Sequence, residues 1–223
     1  MLKAVIFDLD GVIADSHPIH EAAWKTLFTE HGLDPEKLNL DYLDEGQPRR
    51  ETFRHFFGEL PEEKIEALSL RKDELYSAMA NRLKPKPGLL RVLDELQAAG
   101  IAMAVGSSGQ RRRIIETLER LGIAARFAAI VSGDDVGAIK PSPEIFLRAA
   151  SLLGVAPRDA VVIEDSPDGI KAARAAGIKC VGYASAERIA ALQRAGADDV
   201  IVELPQRAAE YFAAIVEKPR AKG

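Results

Sequence analysis

The stretch Ala4-Val5-Ile6-Phe7-Asp8-Leu9-Asp10-Gly11 is a short apolar run that ends on two aspartates and a glycine. It is too short for a helix and is bounded by turn residues, the pattern of a buried strand. The pattern recurs at 101–105, 128–131, 160–163, 180–183 and 200–202. Between these runs lie helix-like stretches at 87–99, 111–121, 143–153, 167–176 and 186–195. Gly100, Gly122, Gly154, Gly177 and Gly196 stand where such helices would stop. Ser142-Pro143 and Ser166-Pro167 each read as an N-cap followed by proline in the first turn. Short strands joined by helices predict an α/β fold with a doubly wound parallel sheet.

One segment breaks the rhythm. From 15 to 84 the pattern is helical, with no strand signal, and Lys84-Pro85-Lys86-Pro87 reads as a linker. The expected organisation is therefore an α/β core made of 1–14 and 85–223, with a helical domain inserted at 15–84.

Composition narrows the function classes. The 223 residues are 47% hydrophobic and 29% charged, an ordinary balance for a globular protein. The net charge of −4 argues against nucleic acid as a partner. The longest run without a charged residue, 96–110, is too short and too polar to span a bilayer. No leader sequence precedes the first strand, so the expectation is a cytoplasmic protein without membrane contact. A monomer or weak dimer is expected. Cys180 is the only cysteine, which excludes an internal disulfide and a cysteine-based zinc site.

In an open parallel sheet, ligands bind beyond the carboxyl ends of the strands. Those ends here read Asp8-Leu9-Asp10-Gly11, Gly106-Ser107-Ser108-Gly109, Gly133-Asp134-Asp135 and Glu164-Asp165-Ser166. Asp8 and Asp10, two apart in an extended segment, project to one side. With Glu164 and Asp165 they bring four carboxylates to one crevice, a self-repelling set unless a cation joins it. An all-oxygen set favours Mg²⁺ over zinc.

The segment Phe7-Asp8-Leu9-Asp10-Gly11-Val12-Ile13-Ala14-Asp15-Ser16 resembles the first signature of the haloacid dehalogenase (HAD) superfamily. Ser107 is similar to its second motif, Lys140-Pro141 to the third, and Glu164-Asp165-Ser166 with Gly169 to the fourth. The resemblance covers essentially the whole chain. It implies a Rossmann-like core, with 15–84 as the cap of the subgroup that holds β-phosphoglucomutases and many small-molecule phosphatases. It further implies that Asp8 is the nucleophile that carries an aspartyl-phosphate. Asp10 becomes the general acid and base. Mg²⁺ is implied between Asp8, the backbone carbonyl of Asp10 and Asp165, with Glu164 in or beside the shell. Ser107 and Lys140 are implied to hold the phosphoryl oxygens. An acid at position 10 favours phosphoryl transfer over carbon–halogen cleavage.

The insert offers candidate substrate contacts. On the candidate helix 61–83, Lys72 shares the apolar stripe of Ile65, Leu68, Leu75 and Met79, where a lysine must snorkel or meet an anion. Arg49 and Arg50 open one helix, and Arg111, Arg112 and Arg113 open another just after Ser108. Cations there oppose the helix dipole unless an anion docks nearby. His20 shares a helical face with Trp24, Leu27 and His31. Gly46 with Arg49, Lys72 with Tyr76, and His20 with Trp24 resemble cap positions of the β-phosphoglucomutases. Yet Gly109, Gln110 and Arg111 stand where those mutases usually have Ser, Lys and Asn, so Arg111 is the remaining candidate phosphate donor of that loop.

The expected activity is a Mg²⁺-dependent phosphatase acting on a small phosphorylated metabolite, with a cap that closes over it. A β-phosphoglucomutase is the alternative. A non-catalytic phospho-acceptor signalling domain comes third.

Overall fold

The computed structural model describes residues 1–44 and 49–219. The chain forms two compact units, Met1–Asp15 with Lys84–Gly223, and Ser16–Leu83. The strands are β1 (Ala4–Phe7), β2 (Ala102–Gly106), β3 (Ala129–Val131), β4 (Ala160–Glu164), β5 (Lys179–Tyr183) and β6 (Asp199–Ile201). The helices are α1 (His17–Glu30), α2 (Arg49–Phe57), α3 (Glu62–Met79), α4 (Leu89–Ala98), α5 (Arg111–Arg120), α6 (Glu144–Leu152), α7 (Pro167–Ala175), α8 (Ile189–Ala195) and α9 (Ala208–Glu217). No described helix is long and apolar enough to cross a membrane.

Among the described residues the six strands pair in parallel, in the order β3-β2-β1-β4-β5-β6. This is the doubly wound arrangement, with its switch point between β1 and β4. In register, Phe7 lies between Val105 and Ile163, so the residues after these three strand ends emerge side by side.

Alternation along β1 explains why helices cover both faces. Val5 and Phe7 pack on one side with Leu93 of α4, Leu118 of α5 and Phe212 of α9. Ala4 and Ile6 pack on the other with Phe146 of α6, Ile170 of α7 and Leu192 of α8. The second unit has its own core, in which Trp24 and Phe28 of α1, Phe53 of α2, and Leu68 and Leu75 of α3 are buried together.

Local chemistry ends the helices largely where glycine or a cap demands. The five glycines expected at helix ends have φ between 68° and 98°, the left-handed conformation in which a side chain is strained. Ser166 caps α7, accepting a hydrogen bond from the Gly169 N–H. Ser142 does not cap α6, which starts at Glu144 with Pro143 in the cap position. Its hydroxyl instead donates to the Glu144 carboxylate, which also accepts from the Gly137 N–H at 2.9 Å and from the Ala138 N–H. Glu144 thereby ties down the loop that carries Lys140. The stretch expected as one helix over 186–195 is a 3₁₀ turn, Ala186–Arg188, followed by α8. Likewise the candidate helix 61–83 ends at Met79 and continues as a 3₁₀ turn, Ala80–Arg82.

Gly169 sets how closely α7 approaches the end of β4. A Cβ there would fall 1.9 Å from the Glu164 carboxyl carbon. Replacing a helical glycine with alanine ordinarily stabilises by about 0.5–1 kcal/mol. Gly169→Ala should instead destabilise by about 1–3 kcal/mol, the cost of overpacking. Urea unfolding midpoints would measure this, and a stabilised variant would contradict the close approach.

Candidate active site

The site grows from the strand ends. Asp8 follows β1, its N–H donating to the Ile163 carbonyl of β4 at 3.0 Å, so the β1–β4 ladder continues one residue to aim it. Gly11 then turns the chain with φ 76°, and its N–H donates to the Ala14 carbonyl. Ala14 in turn bridges Pro85, and the Asp15 N–H donates to the Lys84 carbonyl. Asp10 therefore sits in a closed turn, beside the point where the inserted segment departs and returns.

Lys140 binds the cluster together. Its ammonium donates to Asp8 Oδ1 at 2.5 Å and to Glu164 Oε2 at 2.7 Å, with Lys140 and Glu164 side chains only 7% and 1% exposed. It also lies 4.8 Å from the centre of the Phe146 ring, a cation–π contact on its apolar side. The peptide bond to Pro141 is cis.

Glu164 turns its other oxygen to the chain. Oε1 accepts from the Asp165 N–H, the Ser166 N–H and the Ser166 hydroxyl at 2.9–3.1 Å. Asp8, Glu164 and Asp165 are all buried, and each offers a carboxylate oxygen within 4.8 Å of the others. Three converging oxygen donors in a dry pocket fit a hard divalent cation such as Mg²⁺.

Burial pushes the Asp8 carboxyl well above its usual range, against the attraction of Lys140, and Glu164, Asp165 and Asp10 add repulsion. Burial also raises Glu164, again against Lys140. Lys140 is itself shifted upward, because Asp8 and Glu164 together outweigh the burial that opposes its charge.

Ser107 follows β2 and is buried, its N–H donating to the Val131 carbonyl of β3. Its hydroxyl accepts from the Gly109 N–H at 3.2 Å. Ser108, half-buried, follows it. Gly133 lets the β2 and β3 loops meet, since a Cβ there would lie 2.5 Å from the Ser108 carbonyl oxygen.

The three arginines of α5 go to three different partners. Arg111 donates to Asp135 at 2.8 Å and to the Ile130 carbonyl, while its backbone N–H donates to Asp134. Arg112 pairs with Glu116, one turn along its own helix. Arg113 reaches Asp10, Nη1 donating to Oδ1 at 3.0 Å and Nη2 to Oδ2 at 2.5 Å. The loop candidate Arg111 is thus committed to Asp135, and the arginine that arrives at the strand ends is Arg113. An arginine unforeseen in the sequence, Arg188, donates to the Asp165 carbonyl at 3.1 Å, with another nitrogen 3.7 Å from its carboxylate.

The second unit gathers His20, Trp24 and Lys72. Lys72 neither snorkels outward nor stays exposed; it is buried, with its ammonium 2.5 Å from His20 Nδ1. Nδ1 is therefore the ring nitrogen that faces the amino group. The ammonium also lies 5.2 Å from the Tyr76 ring centre and 5.9 Å from that of Trp24, and His20 stacks on Tyr76. Arg49 makes a two-pronged pair with Asp73, both distances 2.9 Å, and Arg50 pairs with Glu62. Gly46 lies outside the described residues.

Comparison with known proteins places this geometry. The profile of the family described as haloacid dehalogenase-like hydrolase matches residues 5–183. The phosphorylated carbohydrates phosphatase of Thermotoga maritima is 33% identical over 190 residues, covering 80% of this chain and 83% of that protein. The β-phosphoglucomutase of Bacillus subtilis is 36% identical over 190 residues, covering 81% and 83% respectively. Among solved structures, the β-phosphoglucomutase of Clostridium difficile superimposes with a TM-score of 0.79 at 26% identity, over 97% of each chain. With the match running from β1 through β5 and relatives above 30% identity over four-fifths of the length, the chain belongs to the haloacid dehalogenase-like hydrolases.

Proposed function

We propose that this chain is a Mg²⁺-dependent phosphatase that hydrolyses a small sugar phosphate or a similar monoester through an aspartyl-phosphate on Asp8. The observation that carries the reading is the Lys140 ammonium held by both Asp8 and Glu164, beside Asp165. A buried lysine so placed supplies positive charge beside the carboxylate that would meet the phosphoryl group. The acids that would hold Mg²⁺ are Asp8, Glu164 and Asp165, with the backbone carbonyl of Asp10. When bound, the ion supplies charge against the phosphoryl oxygens.

An Asp8 carboxylate oxygen attacks phosphorus as the ester P–O bond breaks, and the leaving oxygen takes a proton from Asp10. Water then attacks phosphorus, Asp10 takes a proton from that water, and the bond from Asp8 to phosphorus breaks to release phosphate. Lys140 and the Ser107 hydroxyl donate to the phosphoryl oxygens throughout. His20, Trp24 and Lys72 are the second unit's candidates for substrate contact.

Water rather than a sugar hydroxyl is the acceptor in this reading because of the loop after β2. Gly109 and Gln110 offer no cation there, and Arg111 is tied to Asp135. A second phosphate would therefore find no lysine in that loop and an arginine already engaged.

Two measurements test the proposal. Incubated with Mg²⁺ and 4-nitrophenyl phosphate or a panel of sugar phosphates, the chain should release free phosphate, and Asp8→Asn should reduce release to background. Full activity in Asp8→Asn would sink the assignment. β-Glucose 1-phosphate, primed with a trace of glucose 1,6-bisphosphate, belongs in the same panel. Glucose 6-phosphate formed without free phosphate would make the protein a mutase.

Mg²⁺ should also raise the thermal unfolding midpoint, since a ligand at 100 times its Kd adds about 2.7 kcal/mol. Asp165→Asn should lose most of that gain. A midpoint that ignores Mg²⁺ in the unsubstituted chain would remove the metal from the reading.

A further inference from the structure

We propose that Glu144 is a positioning residue, which holds the Lys140 loop in the geometry from which the Lys140 ammonium meets the phosphoryl group. The inference rests on the reading of Lys140 as a donor to the phosphoryl oxygens given above.

Burial contributes little to holding this loop. Gly137, Ala138, Ile139 and Pro141 are exposed, Ile139 at 53%. The Ser142 N–H donates to the Ile139 carbonyl at 3.0 Å, so Lys140 and Pro141 are the central residues of a tight turn. From that exposed turn the Lys140 side chain runs inward until it is 7% exposed, beside Asp8 and Glu164. A lysine carries its charge on a flexible four-carbon stem. The place of the ammonium therefore depends on where the loop holds the backbone of residue 140.

Glu144 spans the turn. Its Oε2 accepts from the Gly137 N–H at 2.9 Å and the Ala138 N–H at 3.3 Å, before the turn. Its Oε1 accepts from the Ser142 hydroxyl at 3.1 Å, after the turn. One carboxylate thus gathers the chain on both sides of Lys140. Hydrogen bonds to a charged acceptor are stronger than neutral ones, and these, the Gly137 N–H foremost, hold the Glu144 carboxyl below its usual range.

The anchor behind Glu144 is α6. Glu144 is its first residue, where the helix dipole favours a negative charge. Ile145 and Phe146, which follow, are fully buried in the core with Ile6 of β1. A Cβ at Gly106 of β2 would stand 3.1 Å from Ile145, so the start of the helix lies close against the sheet. Glu144 passes the fixed position of that helix to a loop that packing alone would leave loose.

The test couples the two residues. Hydrolysis of 4-nitrophenyl phosphate with Mg²⁺, its inhibition by inorganic phosphate, and the thermal midpoint with and without Mg²⁺ should be measured for the unsubstituted chain, Glu144→Gln and Glu144→Ala. The Glu144→Ala substitution should also be measured on a Lys140→Met background, at high enzyme concentration. Glu144→Ala should lower kcat by about 10- to 100-fold, the cost of a group displaced by about 1 Å. Glu144→Gln, which keeps an acceptor oxygen without the charge, should fall between. On the Lys140→Met background the same change to alanine should alter residual turnover by less than about two-fold, because substitutions that act through one group do not add. Equal losses on both backgrounds, or no loss in Glu144→Ala, would overturn the role of Glu144. Should Lys140→Met be unfolded or silent, the decision passes to Glu144→Ala alone. A phosphate inhibition constant raised about 10-fold, with the midpoint gain from Mg²⁺ kept, supports the role; an unchanged constant, or loss of both, overturns it. Lys140→Met at full turnover would instead overturn the reading of Lys140, and the inference with it.

Discussion

The arrangement at the strand ends depends on one ammonium group. Asp8 and Glu164 are buried close together, and without a cation the two could not both be charged in so dry a place. Lys140 satisfies one oxygen of each at 2.5 and 2.7 Å. Removing one partner from a buried pair of this kind typically costs about 3–5 kcal/mol, because the other charge is left uncompensated. The contact therefore stabilises the crevice and keeps a positive charge beside the nucleophile candidate. It also explains why so much of the surrounding chain serves to hold a single loop. Glu144 pins that loop by its backbone at Gly137 and Ala138, and Phe146 lies under the ammonium.

How much of this the sequence carries depends on the range of the interaction. The strands were legible because a parallel sheet covered on both faces needs continuous apolar runs, and 4–7 and 160–163 are such runs. The strand-end acids were legible because the topology leaves them nowhere else to go. What resisted reading was the destination of long side chains. Arg111, Arg112 and Arg113 are equivalent as letters, and which one reaches Asp10 is decided by the direction of α5 and the bare backbone at Gly109. Arg188 carried no signal at all, since its role follows from the 3₁₀ turn that replaces the first turn expected of α8. Ser142 failed as a cap for a related reason. The Glu144 carboxylate, drawn to two backbone N–H groups, also engaged its hydroxyl.

Lys72 shows the same limit from the other side. Its helical stripe said that the residue faces apolar neighbours, and helical periodicity could say no more. The faces of Tyr76 and Trp24 and the Nδ1 of His20 are among the contacts of the Lys72 amino group, and the stripe alone does not specify them. Both units thus bury a lysine side chain.

The acids of the core divide by environment in a way that separates scaffolding from chemistry. Glu144 is held below its usual range by the Gly137 N–H, the Ser142 hydroxyl and the Ala138 N–H. Asp135, although burial works against it, is also held low by Ser132 and the Arg111 charge. Both are carboxylates whose charge is spent on the chain. Asp8 and Glu164 are displaced the other way, chiefly by burial, and the hydrogen bonds Glu164 accepts do not reverse this. The charge on Asp8 and Glu164 is met chiefly by one shared group, the Lys140 ammonium. Asp8 and Glu164 flank the switch point of the sheet, the place where an open parallel sheet binds its ligands.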